Sequence, residues 1–348
     1  MADPNLQNKL QRVEDLWFPD ADLILRAENS LFRVYSSCSI LGARSSVSRD
    51  MVAFLQPTDA EGDIIDGVPV IRLHDSALET EVFLRAIFGV DSFSKFFMPP
   101  PSPVKFSAVI GVMRLAHRYD VQYLFRRALC HLESMYPMEF SCFQAMSQDE
   151  EAEPHIIFPA GIVTDLIALH AASAVGVQWL LPSIYYSISI YLTAEMLGSG
   201  EPWHTLGPHE QQTCLISHPN LIRAATIIHE FLQKNPNGRG PCSSPRDCAE
   251  AREFLLIRTK QGRRDTDPLQ EWVFAETENG LCVVCSVAGQ AEYSSAQLFF
   301  WLDMPEIFKL PSWEDLDELR RQVMECCMIL NRFLPTSVRP LSCSSEPL

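Results

Sequence analysis

The chain has 348 residues, 47% hydrophobic and 21% charged, which is material for roughly two globular domains of about 150 residues and argues against disorder over most of its length. Its 28 basic and 44 acidic side chains give a net charge of −16, most of it beyond residue 136. Such a surface repels phosphate backbones and argues against a nucleic-acid binder; the one basic cluster, Arg258, Lys260, Arg263 and Arg264, runs straight into Asp265 and Asp267.

Residues 1–15 are polar and read as a flexible lead-in, with no apolar core or small-residue cleavage site of a secretory start. Asp20-Ala-Asp-Leu-Ile-Leu-Arg-Ala-Glu28 reads as a strand, Asn29-Ser30 as a turn and Leu31-Phe-Arg-Val-Tyr35 as the second arm of a hairpin. The period then changes: Ile40, Leu41, Val47, Met51, Phe54 and Leu55 fall at helical spacing. After an acidic loop, Val70-Ile-Arg-Leu73 is a short strand. Asp75 or Ser76 caps the next helix, whose apolar face carries Val82, Phe83, Ala86 and Ile87. Phe96-Phe-Met-Pro-Pro-Pro-Ser-Pro103 is an extended connector, because consecutive prolines end a helix. Two more helices follow, one through Val109, Val112, Met113 and Ala116, the other over about 121–135.

Beyond Tyr136-Pro137 strand signals nearly vanish, and helical patterns recur near 162–176, 178–197, 218–233, 245–258, 281–303 and 313–333. His218-Pro219 reads as a helix start, since proline suits the first helical position, and Ser312 with Asp315 reads as a cap. Leu166 to Ala194 holds no Asp, Glu, Lys or Arg, yet Pro182 interrupts it. Two buried helices meeting at Leu181-Pro182 explain the stretch better than a membrane span. The expected class is α+β: short strands with a helical cluster over 16–136, a mostly helical domain over 137–335 and a flexible tail over 336–348.

The order of elements in 20–136 resembles the BTB/POZ fold. Asp20-Ala-Asp-Leu-Ile-Leu25 is similar to the family's opening strand. Leu31-Phe-Arg-Val34 with Ile40-Leu41 and Ala43-Arg-Ser-Ser-Val47 resembles its next stretch, and Leu115-Ala-His-Arg-Tyr-Asp-Val-Gln-Tyr-Leu124 its most specific segment. Phe-Met-Pro-Pro-Pro and Leu310-Pro-Ser-Trp-Glu-Asp-Leu316 resemble the large BTB families of mushroom-forming fungi. Tyr35 stands where the family has His, and Ser48 where it has an aromatic. The resemblance implies a non-catalytic protein–protein interaction module. Its partner would be itself or another BTB protein, met through an apolar flank of Leu16, Trp17, Phe18, Leu23, Val47, Met51 and Phe54. Alternatives are a substrate adaptor of a cullin-type ubiquitin ligase, although the Phe96–Pro103 connector lacks a clear acidic residue, and a transcriptional co-regulator, although no DNA-binding finger is present.

No phosphate loop, nucleophile elbow or zincin pair occurs; His209-Glu210 starts like the last but has Thr213 where the second histidine belongs. The expectation is therefore no enzyme and no small-molecule substrate. Eleven cysteines are too sparse for a disulfide scaffold and read as reduced thiols of an intracellular protein, cytoplasmic or nuclear. Cys282-Val-Val-Cys285 has a metal-ligand spacing, and Cys242 with Cys248 would complete four thiolates around a structural zinc, the one cofactor the sequence offers. Five residues inside the first pair and 33 between the pairs are wide for a zinc site, and the alternative is four small buried hydrophobes. The late aromatics Trp272, Phe299, Phe300, Trp301, Phe308, Trp313 and Phe333 read as core packing.

Overall fold

The computed structural model describes residues 10–36, 64–88, 96–148, 156–157, 161–233, 242–261, 267–270 and 280–325. Strands β1 (Gln11–Trp17), β2 (Leu23–Ala27), β3 (Ser30–Val34), β4 (Ile64–Ile65) and β5 (Val68–Leu73) precede helix α1 (Ala77–Phe88). They form one sheet in the order β1-β3-β2-β5-β4. β2 and β3 pair as an antiparallel hairpin with Leu25 opposite Phe32, while β5 runs parallel to β2 and β1 parallel to β3. Glu28 turns the hairpin with a left-handed φ of 51°, the conformation a two-residue hairpin loop needs.

Period-two alternation divides the side chains between the two faces. Leu23, Leu25, Ala27, Phe32, Val34 and Ile71 pack with Leu16 of β1 and Leu84 of α1, whereas Ile24, Leu31 and Val68 gather apart from them. The expected lead-in is thus partly wrong: residues 11–15 are strand. β1 alternates poorly because it is an edge strand whose residues are mostly exposed, Leu16 being its one fully buried side chain.

Ser76, rather than Asp75, caps α1, its Oγ accepting the Glu79 N–H at 3.2 Å. Asp75 instead accepts the Tyr119 hydroxyl at 2.6 Å and binds Arg118. Strand β6 (Val104–Lys105) leads into α2 (Phe106–Arg118), followed by α3 (Gln122–Met135). α2 lies so close to α1 that a Cβ on Gly111 would stand 2.9 Å from Val82 Cγ2. The proline connector is a pinned turn rather than a free extended segment. Phe97 is buried beside the His131 ring, its carbonyl accepts Arg127 Nη1 at 3.0 Å, and His131 Nε2 lies 2.8 Å from the Met98 carbonyl.

The remaining elements are α4 (Phe140–Gln148), β7 (Ile156–Ile157, paired with β6), α5 (Ile162–Ala174), α6 (Leu181–Ser189), α7 (Thr193–Gly198), α8 (Glu201–His204), α9 (Pro208–Ile228), α10 (Pro245–Gln261), α11 (Val283–Ile307) and α12 (Trp313–Glu325). The architecture is mixed α and β with a helical C-terminal region. One apolar cluster runs from Phe83 of α1 to Leu316 of α12, so α2 and α3 share their core with the later helices across the boundary expected near 137. Trp301 Nε1 donates to the Met138 carbonyl at 3.0 Å. Glu133 accepts both Arg320 Nε (2.7 Å) and Trp179 Nε1 (3.0 Å), clasping α12 to α3.

The uncharged stretch holds two largely buried helices as expected, and α6 starts at Leu181-Pro182. α5 ends earlier, at Ala174, with a 3-10 turn over Gln178–Leu180 between them, and the pattern expected over 178–197 is divided between that turn, α6 and α7. Among the described residues no helix is long and apolar enough to cross a membrane. The helix start expected at His218-Pro219 is wrong. α9 begins at Pro208 and continues through Pro219. The buried stripe Cys214, His218, Leu221, Ala225 and Ile228 spans the proline, and His218 Nδ1 sits 2.8 Å from the Ser189 carbonyl, so packing on both sides holds the helix together across the missing N–H. The Ser312 cap is present, with the Asp315 N–H 3.2 Å from its Oγ.

Candidate metal centre

The wide Cys242–Cys248 spacing closes through secondary structure. Ser244 opens α10, the Cys248 N–H donates to its carbonyl at 2.9 Å, and Cys248 thus sits in the first helical turn. A helix rises only about 1.5 Å per residue, so five intervening residues need not carry the two sulfurs apart. On the other side, Gly280 adopts a left-handed φ of 74° that turns the chain into Cys282. Cys282 is the residue immediately before α11, and Cys285 lies in that helix's first turn.

The four cysteines that the sequence nominated come together. One Sγ from each of Cys242, Cys248, Cys282 and Cys285 lies within 4.8 Å of the other three. Cys242 Sγ and Cys282 Sγ are 3.8 Å apart. A tetrahedron with Zn–S bonds of about 2.3 Å has sulfur–sulfur edges of about 3.8 Å, so the donor set fits a zinc-sized tetrahedral ion. The Cys282 N–H donates to Cys248 Sγ at 3.2 Å, a backbone bond of the kind that orients a thiolate ligand. The first turns of α10 and α11 both point their positive ends at the cluster, which suits the net negative charge of a cation held by four thiolates.

The electrostatics divide the four sulfurs. The Cys285 N–H and the Ser243 hydroxyl bring the Cys282 thiol down to about 5. Burial pushes the Cys248 and Cys285 thiols up, and neighbouring sulfurs add to the rise. Without a cation the cluster favours one thiolate among protonated neighbours, because four negative charges this close repel strongly. A divalent metal reverses that balance, since a coordinating thiol is deprotonated outright. Cys248 and Cys285 also pack with Leu232, Ala251, Leu255 and Leu281, so the site is a small apolar core with four sulfurs at its centre.

The nominated N-terminal flank needs correction. Leu16 is fully buried and Leu23 is 4% exposed; both pack in the cluster that the sheet shares with Leu84 of α1 inside the same chain. Trp17 is half-buried with the Arg12 guanidinium 4.5 Å above its ring, and Phe18 is half-buried against Tyr35 and Phe88. Val47, Met51 and Phe54 lie outside the described residues.

An apolar surface appears instead between α9 and α11. A groove of about 680 Å³ is lined by Ile227, Ile228, Phe299 and Phe300, with Arg223 and Asp303 among its polar residues. Phe299 is 64% exposed and Ile227 57%. Phe299 is therefore a second correction: Phe300, Trp301 and Phe308 are core, but Phe299 is surface. Three consecutive aromatics span about 200° of a helix, so one of them has to face outward, a signal available at Phe299-Phe-Trp301. Trp272 and Phe333 lie outside the described residues.

The chain matches no family model, no curated protein and no solved structure among known proteins.

Proposed function

We propose that Cys242, Cys248, Cys282 and Cys285 hold a structural zinc ion, and that the chain is a non-catalytic protein-interaction scaffold. For the metal, the observation that carries the reading is the convergence of four sulfurs, from two segments far apart in sequence, at zinc-ligand spacing. All four ligand positions are filled by cysteine, leaving no open place for water or substrate, which marks a structural rather than a catalytic zinc. The ion's role is a brace: it ties the start of α10 to the start of α11, whose first turns meet in a small apolar cluster.

The interaction reading is supported by the resemblance of 20–136 to the BTB/POZ family and by the α9–α11 groove, whose exposed Phe299 and Ile227 belong to the kind of apolar surface that marks a protein contact site. The apolar face suits an amphipathic partner helix. Two measurements test the proposal. Metal analysis of protein purified without chelators should find one zinc per chain; none, with all four thiols freely titratable, would overturn the metal part. Affinity purification with Phe299→Asp should lose partners that the unaltered chain retains, while circular dichroism stays the same. Identical recoveries would overturn the placing of the interface.

A further inference from the structure

We infer that Cys242 and Cys282 form a peroxide-sensitive dithiol at the edge of the metal centre, joined as a disulfide by a hydroperoxide with release of the ion. The inference rests on the zinc reading above and adds a modification site to it. The four sulfurs are unequal in access. Cys248 is fully buried and Cys285 is 4% exposed, whereas Cys242 and Cys282 are both partly open to solvent. The two open sulfurs are also neighbours, 3.8 Å apart, and need close only to the bonding distance of about 2.0 Å. They come from different segments, Cys242 ahead of α10 and Cys282 ahead of α11, neither held inside a helix, so the approach bends two short lead-ins rather than a helical turn.

The chemistry balances with one peroxide. A thiolate sulfur of the open pair attacks one peroxide oxygen. The S–O bond forms, the O–O bond breaks, and the departing hydroxide takes a proton to become water, leaving a sulfenic acid. The second thiolate attacks that sulfur; the S–S bond forms, the S–O bond breaks, and the second oxygen leaves as water with another proton. Two thiolates, one hydrogen peroxide and two protons thus give one disulfide and two waters, the sulfurs losing the two electrons the peroxide gains. The ion loses half of its donors, and Cys248 and Cys285 alone cannot complete a tetrahedral site. Since each lost tie joins α10 to α11, peroxide would loosen the brace while the disulfide keeps its two lead-ins linked.

The test uses the full chain loaded with zinc and treated with hydrogen peroxide. Zinc release is followed with a chromogenic chelator, and disulfides are mapped by mass spectrometry after alkylation. One zinc should leave per disulfide formed, the Cys242–Cys282 cross-linked peptide should dominate, and a thiol reductant should restore zinc binding. Cys242→His keeps a zinc donor but removes one sulfur of the pair, so it should hold zinc and release it about tenfold more slowly under peroxide. Three results overturn the inference alone: zinc retained under excess peroxide, Cys282–Cys285 as the dominant disulfide, or unchanged release in Cys242→His. A chain that takes up no zinc before peroxide is added overturns the zinc reading and this inference with it.

Discussion

Leu16 decides whether the apolar side of β1 packs within its own chain or serves as a surface flank. Its side chain is fully enclosed among Leu23, Leu25, Phe32, Val34, Ile71 and Leu84, between the sheet and α1. Leu16→Ala removes three carbons from that space. The sheet is hydrogen-bonded and Arg85 of α1 is paired with Asp15 of β1, so the walls can collapse only in part. Leucine-to-alanine changes in such places cost about 3–5 kcal/mol. With a urea dependence of about 2 kcal/mol per molar, the unfolding midpoint should fall by roughly 1.5–2.5 M. Far-UV circular dichroism through a urea titration measures it, with sedimentation velocity run on the same samples. Trp17→Ala, at a half-buried position, should cost less. A midpoint shift below about 0.3 M for Leu16→Ala, accompanied by a change in association state, would show that Leu16 faces a partner and refute the packing described here.

Burial pushes the Asp165 carboxyl up to about 6, against the opposing pull of the Tyr136 hydroxyl bonded to it at 2.7 Å. A pKa raised in the folded state contributes stability below the ordinary carboxylate range and loses it as pH rises through about 6, at a cost on the order of 3 kcal/mol above that. Asp165→Asn should therefore change thermal unfolding little at pH 4 and raise the melting temperature at pH 8; an equal effect at both would refute the assignment. Glu133→Gln, at the clasp with Arg320 and Trp179, should cost about 1–2 kcal/mol in urea unfolding, allowing for the partial exposure of Arg320. Asp317→Asn, at a half-exposed pair within α12 itself, should cost under about 0.5 kcal/mol, and a reversed order would show that the clasp is not what fastens α12. Removing zinc with a chelator should speed amide hydrogen exchange at the starts of α10 and α11 and leave α2 and α3 protected, because the large apolar cluster contains none of the four ligands. Uniform loss of protection would contradict a local brace.

β2, β3, β5, α1, α2 and α3 were legible in the sequence because each obeys its own period and is bounded by Asn29, Ser76, the prolines and Tyr136. The two-residue strands β4 and β6 are too short to show a period, and the helical spacing at Ile40–Leu55 lies outside the described residues. β1 was hidden because an edge strand with one buried side chain shows almost no alternation. The burial of Leu16 and Leu23 was hidden for a different reason: alternation says that a face is covered but not whether the cover comes from the same chain. Pro219 misled because local propensity yields to packing along α9. At the metal centre the Cys-x-x-Cys was visible. The partner pair looked too widely spaced only because the compaction of five residues by a helical turn cannot be seen without the helix.

Cobalt substitution probes the centre most directly. Replacing zinc with cobalt(II) in the full chain should give one equivalent bound, with the visible absorption of a tetrahedral ion and intense sulfur-to-cobalt charge transfer, while Cys242, Cys248, Cys282 and Cys285 become unreactive to thiol reagents. A spectrum without tetrahedral bands, or four thiols that react as fast with cobalt as without it, would contradict the four-sulfur centre on which this account rests.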